Sequence, residues 1–366
     1  MQALYLLALN PIAETLADPN SYGFRLRRCV ADAWGQCYVV LAKRYAPHWI
    51  FEADIESCFD RISHEWLLAN IPLDRAILRQ WLEAGYLEDA TCHQTLAGTP
   101  QGGVISPVIA NLALDGLERA VKESAPRVQR KTRPKVHVVR YADDFIVTAA
   151  SKRLLVRRVI PAVKAFLAER GLRLSEEKTR ITHISEGFEF LGASIRKYGQ
   201  TLLMRPAKQS TVGFVRGLRA FLASRRGAPV WKVICELNRR IQGWVSFYRC
   251  LVSSRVFRRL DSELFKSLWL WVSKRHPNKR GRWLKSKYFR TVDQRRWVFS
   301  AKRPSTDRQL SLFEQSAFVA LLSASAVPIR RHVKIRADAN PFDPRYDDYL
   351  RRRSRTPRSI VAGATA

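Results

Sequence analysis

Cysteine is scarce in this 366-residue chain, and where it occurs it is scattered. The six cysteines, at positions 29, 37, 58, 92, 235 and 250, form no C-x-x-C pair and no cluster with histidine. That spacing argues against structural zinc and against a disulfide framework, and suits reduced, mostly buried thiols in a cytoplasmic protein. Long apolar runs are lacking too. None reaches the ~18 residues of a membrane span, so no membrane partner is expected. The opening MQALYLLALNPIAETLADPN has no basic leader and carries acidic residues, which argues against a signal peptide. It reads as an amphipathic helix already under way at Met1. Internal repeats and long low-complexity tracts are absent. Acid is in short supply: 32 Asp+Glu stand against 64 Lys+Arg, a net charge of +32. A surplus of that size points to a polyanionic partner, nucleic acid before membrane.

What the chain does have is 46% hydrophobic residues, enough for a sizeable core and two or three domains. Its charge is uneven. Residues 201–366 carry 37 basic and 10 acidic side chains, a net of +27, whereas residues 1–200 carry 27 and 22, a net of +5. A nearly balanced half suited to chemistry is joined to a half suited to holding a polyanion, with a boundary near residue 200. The end of the chain, from 354 to 366, reads as a disordered basic tail.

The run VHVVRYADDFIVTAA, residues 136–150, sets two aspartates, Asp143 and Asp144, among β-branched and aromatic residues. Two short strands joined at ADD make a tight hairpin with both carboxylates at its tip. Aspartate is common in turns, and a plain turn is the bland alternative. A second acidic segment, HWIFEADIESCFDRISHEWLL at 48–68, reads as a strand ending at Asp54 and then a helix over DRISHEWLLANI, with Asp60 at its start. Three carboxylates converging at strand ends repel one another unless a cation is present. With two Mg²⁺ they become a hard-oxygen site for in-line phosphoryl displacement. Between these segments lies LAGTPQGGVISPVIANLALDGLERAV, 96–121. Here a glycine-rich loop precedes a helix with Ser106 as cap and Pro107 in the first turn. Gln101 is placed to hydrogen-bond a base or a sugar, although such a loop is also a common plain turn.

Taken in order, seven pieces of the chain resemble the reverse transcriptases of bacterial group II introns, the intron-encoded maturases. They are SYGFR at 21–25, FEADIESCFDRISHEWLL at 51–68, GTPQGGVISPVIANLALDGLE at 98–118, RYADDFIV at 140–147, GLRLSEEKT at 171–179, GFEFLGASI at 187–195 and IQGWVSFYR at 241–249. The resemblance implies an α/β fold: a right-hand polymerase palm with an antiparallel sheet and packed helices, partial fingers, and an α-helical thumb, the maturase domain X. The implied domains are 1–50 partial fingers, 51–205 palm, 206–290 thumb, and 291–353 a basic C-terminal region like the family's DNA-target-binding part.

Residue by residue, the resemblance implies that Asp54, Asp143 and Asp144 hold two Mg²⁺ ions, with Ile55 at the same site. Ile55 and Glu56 would lie against the incoming triphosphate through their backbone. Phe59 would be the aromatic gate against a ribose 2′-hydroxyl, with a core phenylalanine as the alternative. Gln101 and Gly102 would line the nucleotide and template, and Lys178 would approach the site from its strand. EFLG, Glu189, Phe190, Leu191 and Gly192, would be the primer grip. Tyr22, Gly23, Phe24 and Arg25 would contact the template. In the thumb, Arg239, Arg240, Arg258 and Arg259 would face RNA phosphates, while Trp244 and Phe247 read as core. HPNKRGRWLKSKYF, 276–289, interleaves basic and aromatic residues. Lys279, Arg280, Lys285 and Lys287 are its candidate RNA contacts, with a solvated basic face as the alternative.

The implied function is RNA-directed DNA polymerisation with intron RNA binding, splicing assistance and intron mobility. The expected partners are group II intron RNA, a DNA target or primer, and dNTPs, with a homodimer possible and a nucleoid-associated location. The family carries further fingers motifs ahead of QALYLLALNPIAETLADPN, including basic residues that clamp the triphosphate. This chain is therefore expected to lack part of its fingers. Without downstream paired cysteines it is not expected to cleave a second DNA strand. Two alternatives stay open: an RNA-binding maturase or inactive fragment without polymerase activity, and a defence or CRISPR-associated reverse transcriptase.

Overall fold

Strands form where β-branched and aromatic residues are densest, and helices cover them. In this computed structural model the chain is described except for residues 89, 90, 94–96, 100–102, 126–133, 293, 304–317 and 356–366. It divides into two compact units. The first comprises residues 1–191, 195–203 and 332–355. It opens with α1 (Gln2–Leu16), α2 (Val30–Leu41) and strand β1 (Trp49–Ala53). Then come α3 (Cys58–Arg61), α4 (His64–Asn70), α5 (Arg75–Glu83), the strand pair β2 (Tyr86–Glu88) and β3 (Thr91–His93), α6 (Ser106–Leu114) and α7 (Leu117–Glu123). The hairpin β4 (His137–Tyr141) and β5 (Asp144–Ala149) follows. After it, α8 (Lys152–Leu154) runs through a π-helical turn, Leu155–Val159, into α9 (Ile160–Ala168), and then comes β6 (Arg180–His183).

The main sheet has the order β4-β5-β1-β6, antiparallel throughout. Phe51 pairs with Val147 and Ala53 with Phe145. These residues alternate onto one face and pack with Ile109, Ala113 and Leu114 of α6 and Val163 and Leu167 of α9 in one buried core. Each of the Val, Leu, Ile and Phe side chains among them contributes about 1.5–3 kcal/mol by leaving water. The opposite face holds one buried acid. Glu52 accepts two hydrogen bonds from Arg180, at 2.8 and 2.7 Å, and one from the Thr182 hydroxyl at 2.8 Å. A separate sheet joins β7 (Phe188–Phe190), β8 (Ala193–Tyr198) and β9 (Thr201–Pro206).

The second unit holds residues 192–194 and 204–331 among those described. Its helices are α10 (Lys208–Ser224), α11 (Val230–Tyr248), α12 (Ser254–Arg275) and α13 (Gly281–Tyr288). They accompany the sheet β10 (Phe289–Val292), β11 (Arg295–Lys302) and β12 (Phe318–Ala320). The helix pair expected from IQGWVSFYR onward is present as α11 and α12. Trp244 stacks on Phe214 with ring centroids 5.0 Å apart, whereas Phe247 is exposed rather than in the core.

Two further expectations change in detail. The helix read over DRISHEWLLANI is broken: α3 ends at Arg61, and Ser63 caps α4 by accepting from the Trp66 N–H at 3.2 Å. Ser106 is the first residue of α6 rather than its cap.

The chain returns to the first unit at its end, where α14 (Asp347–Arg355) lies. Buried Asp32 on α2 is the anchor. It accepts from His332 Nε2 at 2.8 Å, from the Ile335 N–H at 2.7 Å and from Arg353 Nη2 at 2.6 Å. Those bonds hold its carboxyl down at about 2 against the upward push of burial.

Candidate active site

Strand register places the carboxylates. β1 and β5 run antiparallel with Ala53 opposite Phe145, so the next residue along β1, Asp54, falls across from Asp144. β4 and β5 are joined by a two-residue turn, Ala142–Asp143, between paired Tyr141 and Asp144. Ala142 has φ +56°, the left-handed value that tight hairpins require at their first turn position. Asp143 therefore projects at the tip beside Asp144, and Asp54 approaches from the neighbouring strand.

The electrostatics record this convergence. Burial, then the charges of Asp54 and Asp143, and then a hydrogen bond that its protonated form donates to Asp54 raise the Asp144 carboxyl to about 6. Burial and Asp54 likewise raise Asp143. Lys178 supplies the positive charge present: its Nζ donates to Asp54 Oδ2 at 2.8 Å, and that bond raises the lysine's own pKa. The three aspartates lie close enough to perturb one another without closing into a single tight ligand shell. Among the described residues, the one group of three ligand-type side chains within 4.8 Å of one another is Cys29, Asp32 and His332. There the Asp32 carboxylate already pairs with Arg353 and accepts from His332.

The backbone around Asp54 is tied to the chain that follows α9. The Ser175 N–H donates to the Asp54 carbonyl at 2.9 Å, and the Glu56 N–H donates to the Arg173 carbonyl at 3.0 Å. The Glu56 amide expected to meet a triphosphate is thus engaged within the fold. Ile55 is fully buried and forms a β-bridge with Leu174. Phe59 is half-buried, and its ring meets that of Phe24 edge-to-face at 6.1 Å. Its carbonyl accepts the Thr99 N–H at 2.6 Å. Gly98 lies so close to Phe59 and Asp60 that a Cβ would stand 2.3 Å from the Phe59 carbonyl oxygen. Gln101 and Gly102 lie outside the described residues.

SYGFR turns out to be the scaffold of the hairpin. The Tyr22 N–H donates to the Arg140 carbonyl at 2.9 Å, and the Arg140 N–H donates to the Asn20 carbonyl at 3.0 Å. A Cβ on Gly23 would sit 2.4 Å from the Ala142 nitrogen, so glycine lets this segment press against the aspartate turn. Tyr22 is buried, with its hydroxyl pKa raised by that burial. Arg25 is consumed by a two-pronged pair with Glu14, at 2.8 and 2.5 Å, and by the Asp18 and Ser21 carbonyls. Of the four residues expected on the template side, only Phe24 is exposed; Tyr22 is buried, and Arg25 is paired with Glu14.

Buried Arg140 was missed by sequence reasoning. It pairs with Asp115 and donates to Asn111 Oδ1 at 3.2 Å, while Asn111 Nδ2 donates to the Gly23 carbonyl at 2.8 Å. The arginine in RYADD was the available signal, but its partners lie 25 and 29 residues away.

At EFLG, Glu189 is exposed and Phe190 is buried, its carbonyl accepting Trp34 Nε1–H at 3.1 Å. Leu191 and Gly192 both have positive φ, +52° and +76°, and form the turn between β7 and β8. In the second unit Arg239, Arg240, Arg258 and Arg259 are exposed, and the first two pair with Glu236 at 3.5 and 3.1 Å. Lys279, Arg280, Lys285 and Lys287 are exposed on or beside α13. Lys279 and Lys287 sit over Trp283, at 5.5 and 4.6 Å from its ring centre.

Residues 1–195 match the family described as reverse transcriptase (RNA-dependent DNA polymerase), and residues 213–289 match the group II intron maturase-specific domain. The group II intron-encoded protein LtrA of Lactococcus lactis subsp. cremoris is 29% identical over 57% of this chain and 44% of its own length. Protein YkfC of Escherichia coli (strain K12) is 29% identical over 64% of this chain and 69% of its own length. A 91 kDa protein in the cob intron of Schizosaccharomyces pombe is 26% identical over 53% of this chain and 31% of its own length. The chain thus spans less than half the length of LtrA. With more than half its residues matched, it belongs to the reverse transcriptase family, in the group II intron branch that carries a maturase domain.

Proposed function

We propose that this chain is an RNA-directed DNA polymerase that also binds group II intron RNA and assists its splicing. The observation that carries the reading is the register that sets Asp54 across from Asp144, with Asp143 at the adjoining turn. No core or turn requirement calls for three acids there, and burial together with the charges of Asp54 and Asp143 raises the Asp144 carboxyl.

Reverse transcriptases in general use divalent cations. The donor set fits one: hard carboxylate oxygens, two of them held up in pKa, and an ammonium already drawn to Asp54. Asp54, Asp143 and Asp144 would hold Mg²⁺, two ions in our reading. When bound, Mg²⁺ supplies Lewis-acid stabilisation of the attacking 3′-hydroxyl and of the leaving pyrophosphate. Lys178 orients Asp54 and offsets part of the carboxylate charge. Phe59, half-buried beside Phe24, fits the gate against a 2′-hydroxyl. The left-handed Leu191–Gly192 turn fits the primer grip. The first unit's sheet is the palm in this reading, and the second unit the thumb. Intron RNA, a DNA primer and dNTPs are the proposed partners.

Primer extension on an RNA template with Mg²⁺ and dNTPs tests the proposal. The chain should extend the primer, and Asp143→Ala should not, while RNA affinity stays within about twofold, the range of a surface change. Extension that survives Asp143→Ala would remove the metal assignment. The second reading, an RNA-binding maturase without polymerase activity, draws on the separate maturase-specific match and on the charge concentrated after residue 200. Tight RNA binding without extension by either protein would select it.

A further inference from the structure

The second unit carries an exposed aromatic group that the polymerase chemistry does not use. β10 and β11 pair Arg290 with Val298 and Val292 with Arg295, so one residue, Thr291, faces two, Arg296 and Trp297. This is a β-bulge, a device that re-aims a side chain. Trp297 sits in it with φ +61°, a left-handed backbone that a bulky L-residue adopts only at a cost. Its indole is nevertheless 43% exposed. A tryptophan recruited for the core would be buried on a regular strand; this one is strained and shown to solvent.

The ring is held in place from beneath. Phe289, Phe265 and Trp269 lie 6.0, 6.2 and 6.2 Å away, centre to centre. Phe265 is itself 39% exposed. Lys285 Nζ stands 4.2 Å from the Trp297 ring centre. The surrounding stretch, 276–302, has nine Lys and Arg against a single acid. A rigid aromatic face rimmed by cations matches an unpaired base flanked by phosphates, since every base has a π-face and every linkage an anion. An acidic peptide would use the cations and leave the indole idle.

We propose that Trp297 is a stacking platform for an unpaired base of single-stranded RNA, with Lys285 moving from the ring to an adjacent phosphate. The inference rests on the RNA-binding part of the proposed function and is independent of the polymerase part.

The experiment uses the full chain and a fluorescein-labelled oligouridylate, against an RNA duplex of the same length. Trp297→Ala should weaken single-strand binding about tenfold, the low-to-middle range for losing one base stack. It should leave duplex binding and the salt slope unchanged. Trp297→Phe, which keeps an aromatic face, should bind within about threefold of the parent. Lys285→Ala should lower the salt slope by about one. Trp297→Gly separates platform from packing, because glycine takes the left-handed backbone freely. It should lose single-strand affinity like the alanine variant while melting no lower than it. Equal losses on single strand and duplex, or unchanged affinity in the folded Trp297→Ala protein, would overturn the platform. If the parent chain failed to bind oligouridylate at all, the RNA-binding part of the proposed function would fall with it.

Discussion

Arg140 and Asp115 hold the aspartate hairpin from behind, and their energetics follow from burial. Both side chains are nearly inaccessible, and the guanidinium is shared between Asp115 and Asn111. Removing one partner of such a pair strands a charge in a poorly solvated site. Asp115→Ala should therefore cost about 3–5 kcal/mol in chemical denaturation, far beyond a surface change. A loss below about 1 kcal/mol would show that Arg140 finds water or another acceptor.

Asp144 gives a second prediction, with a sign. Its folded pKa of about 6 lies above the ordinary carboxylate value, so the folded protein binds this proton more tightly than the unfolded chain. Without a cation, folding stability from this group falls as pH rises through the range up to about 6. A cation needs the ionised form and competes with the proton. The rise in melting temperature on adding MgCl₂ should be small at about pH 5 and larger at about pH 8. Asp144→Asn should lose most of the pH 8 increment. An equal increment at both pH values would place the ion elsewhere.

At the scale of elements, α2 is the anchor for the chain's return. His332 donates to Asp32, and although burial pushes its pKa down, Asp32 and Cys29 outweigh that and raise it to about 9. A histidine raised in this way contributes its stability in full below the unfolded value near 6.5. That contribution is lost as pH rises through about 9. Hydrogen exchange of residues 332–355 should speed up between about pH 7 and pH 9.5, beyond the intrinsic rate increase, and His332→Ala should remove the added pH dependence. Protection that does not change would mean that Arg353 and the Ile335 amide hold the segment without His332.

Nothing local in the sequence announces this contact, because its partners are 300 and 321 residues apart. The strands around the aspartates were legible, since their side chains suit a pleated surface and two acids can only sit at its end. The long amphipathic helices α11 and α12 were legible for the same reason of period. What escaped was pairing at a distance: the Glu56 amide satisfied by Arg173, Arg25 satisfied by Glu14, and the break that Ser63 imposes between α3 and α4. A motif states which side chains are present. It does not state which backbone and side-chain groups the fold has already used.

The whole molecule is a polycation whose proposed chemistry lies at one carboxylate cluster, and the two parts should answer salt differently. Of the net +32, +27 falls after residue 200, where arginines and lysines stand exposed on α11, α12 and α13. If these cover about 6–10 phosphates, RNA affinity should drop by about 10³–10⁵ between about 50 and 200 mM salt through counterion release. The carboxylates act over hydrogen-bond distances, well inside a Debye length of about 10 Å at 0.1 M. Raising salt should therefore raise the template concentration needed for half-maximal extension while changing the rate at saturating template far less. Measuring both quantities across a salt series separates the two. A shallow affinity slope, equivalent to fewer than about three phosphates, would mean that the basic surplus faces solvent rather than RNA. A saturated rate that fell in step with affinity would instead show that the charge after residue 200 also positions the reacting ends.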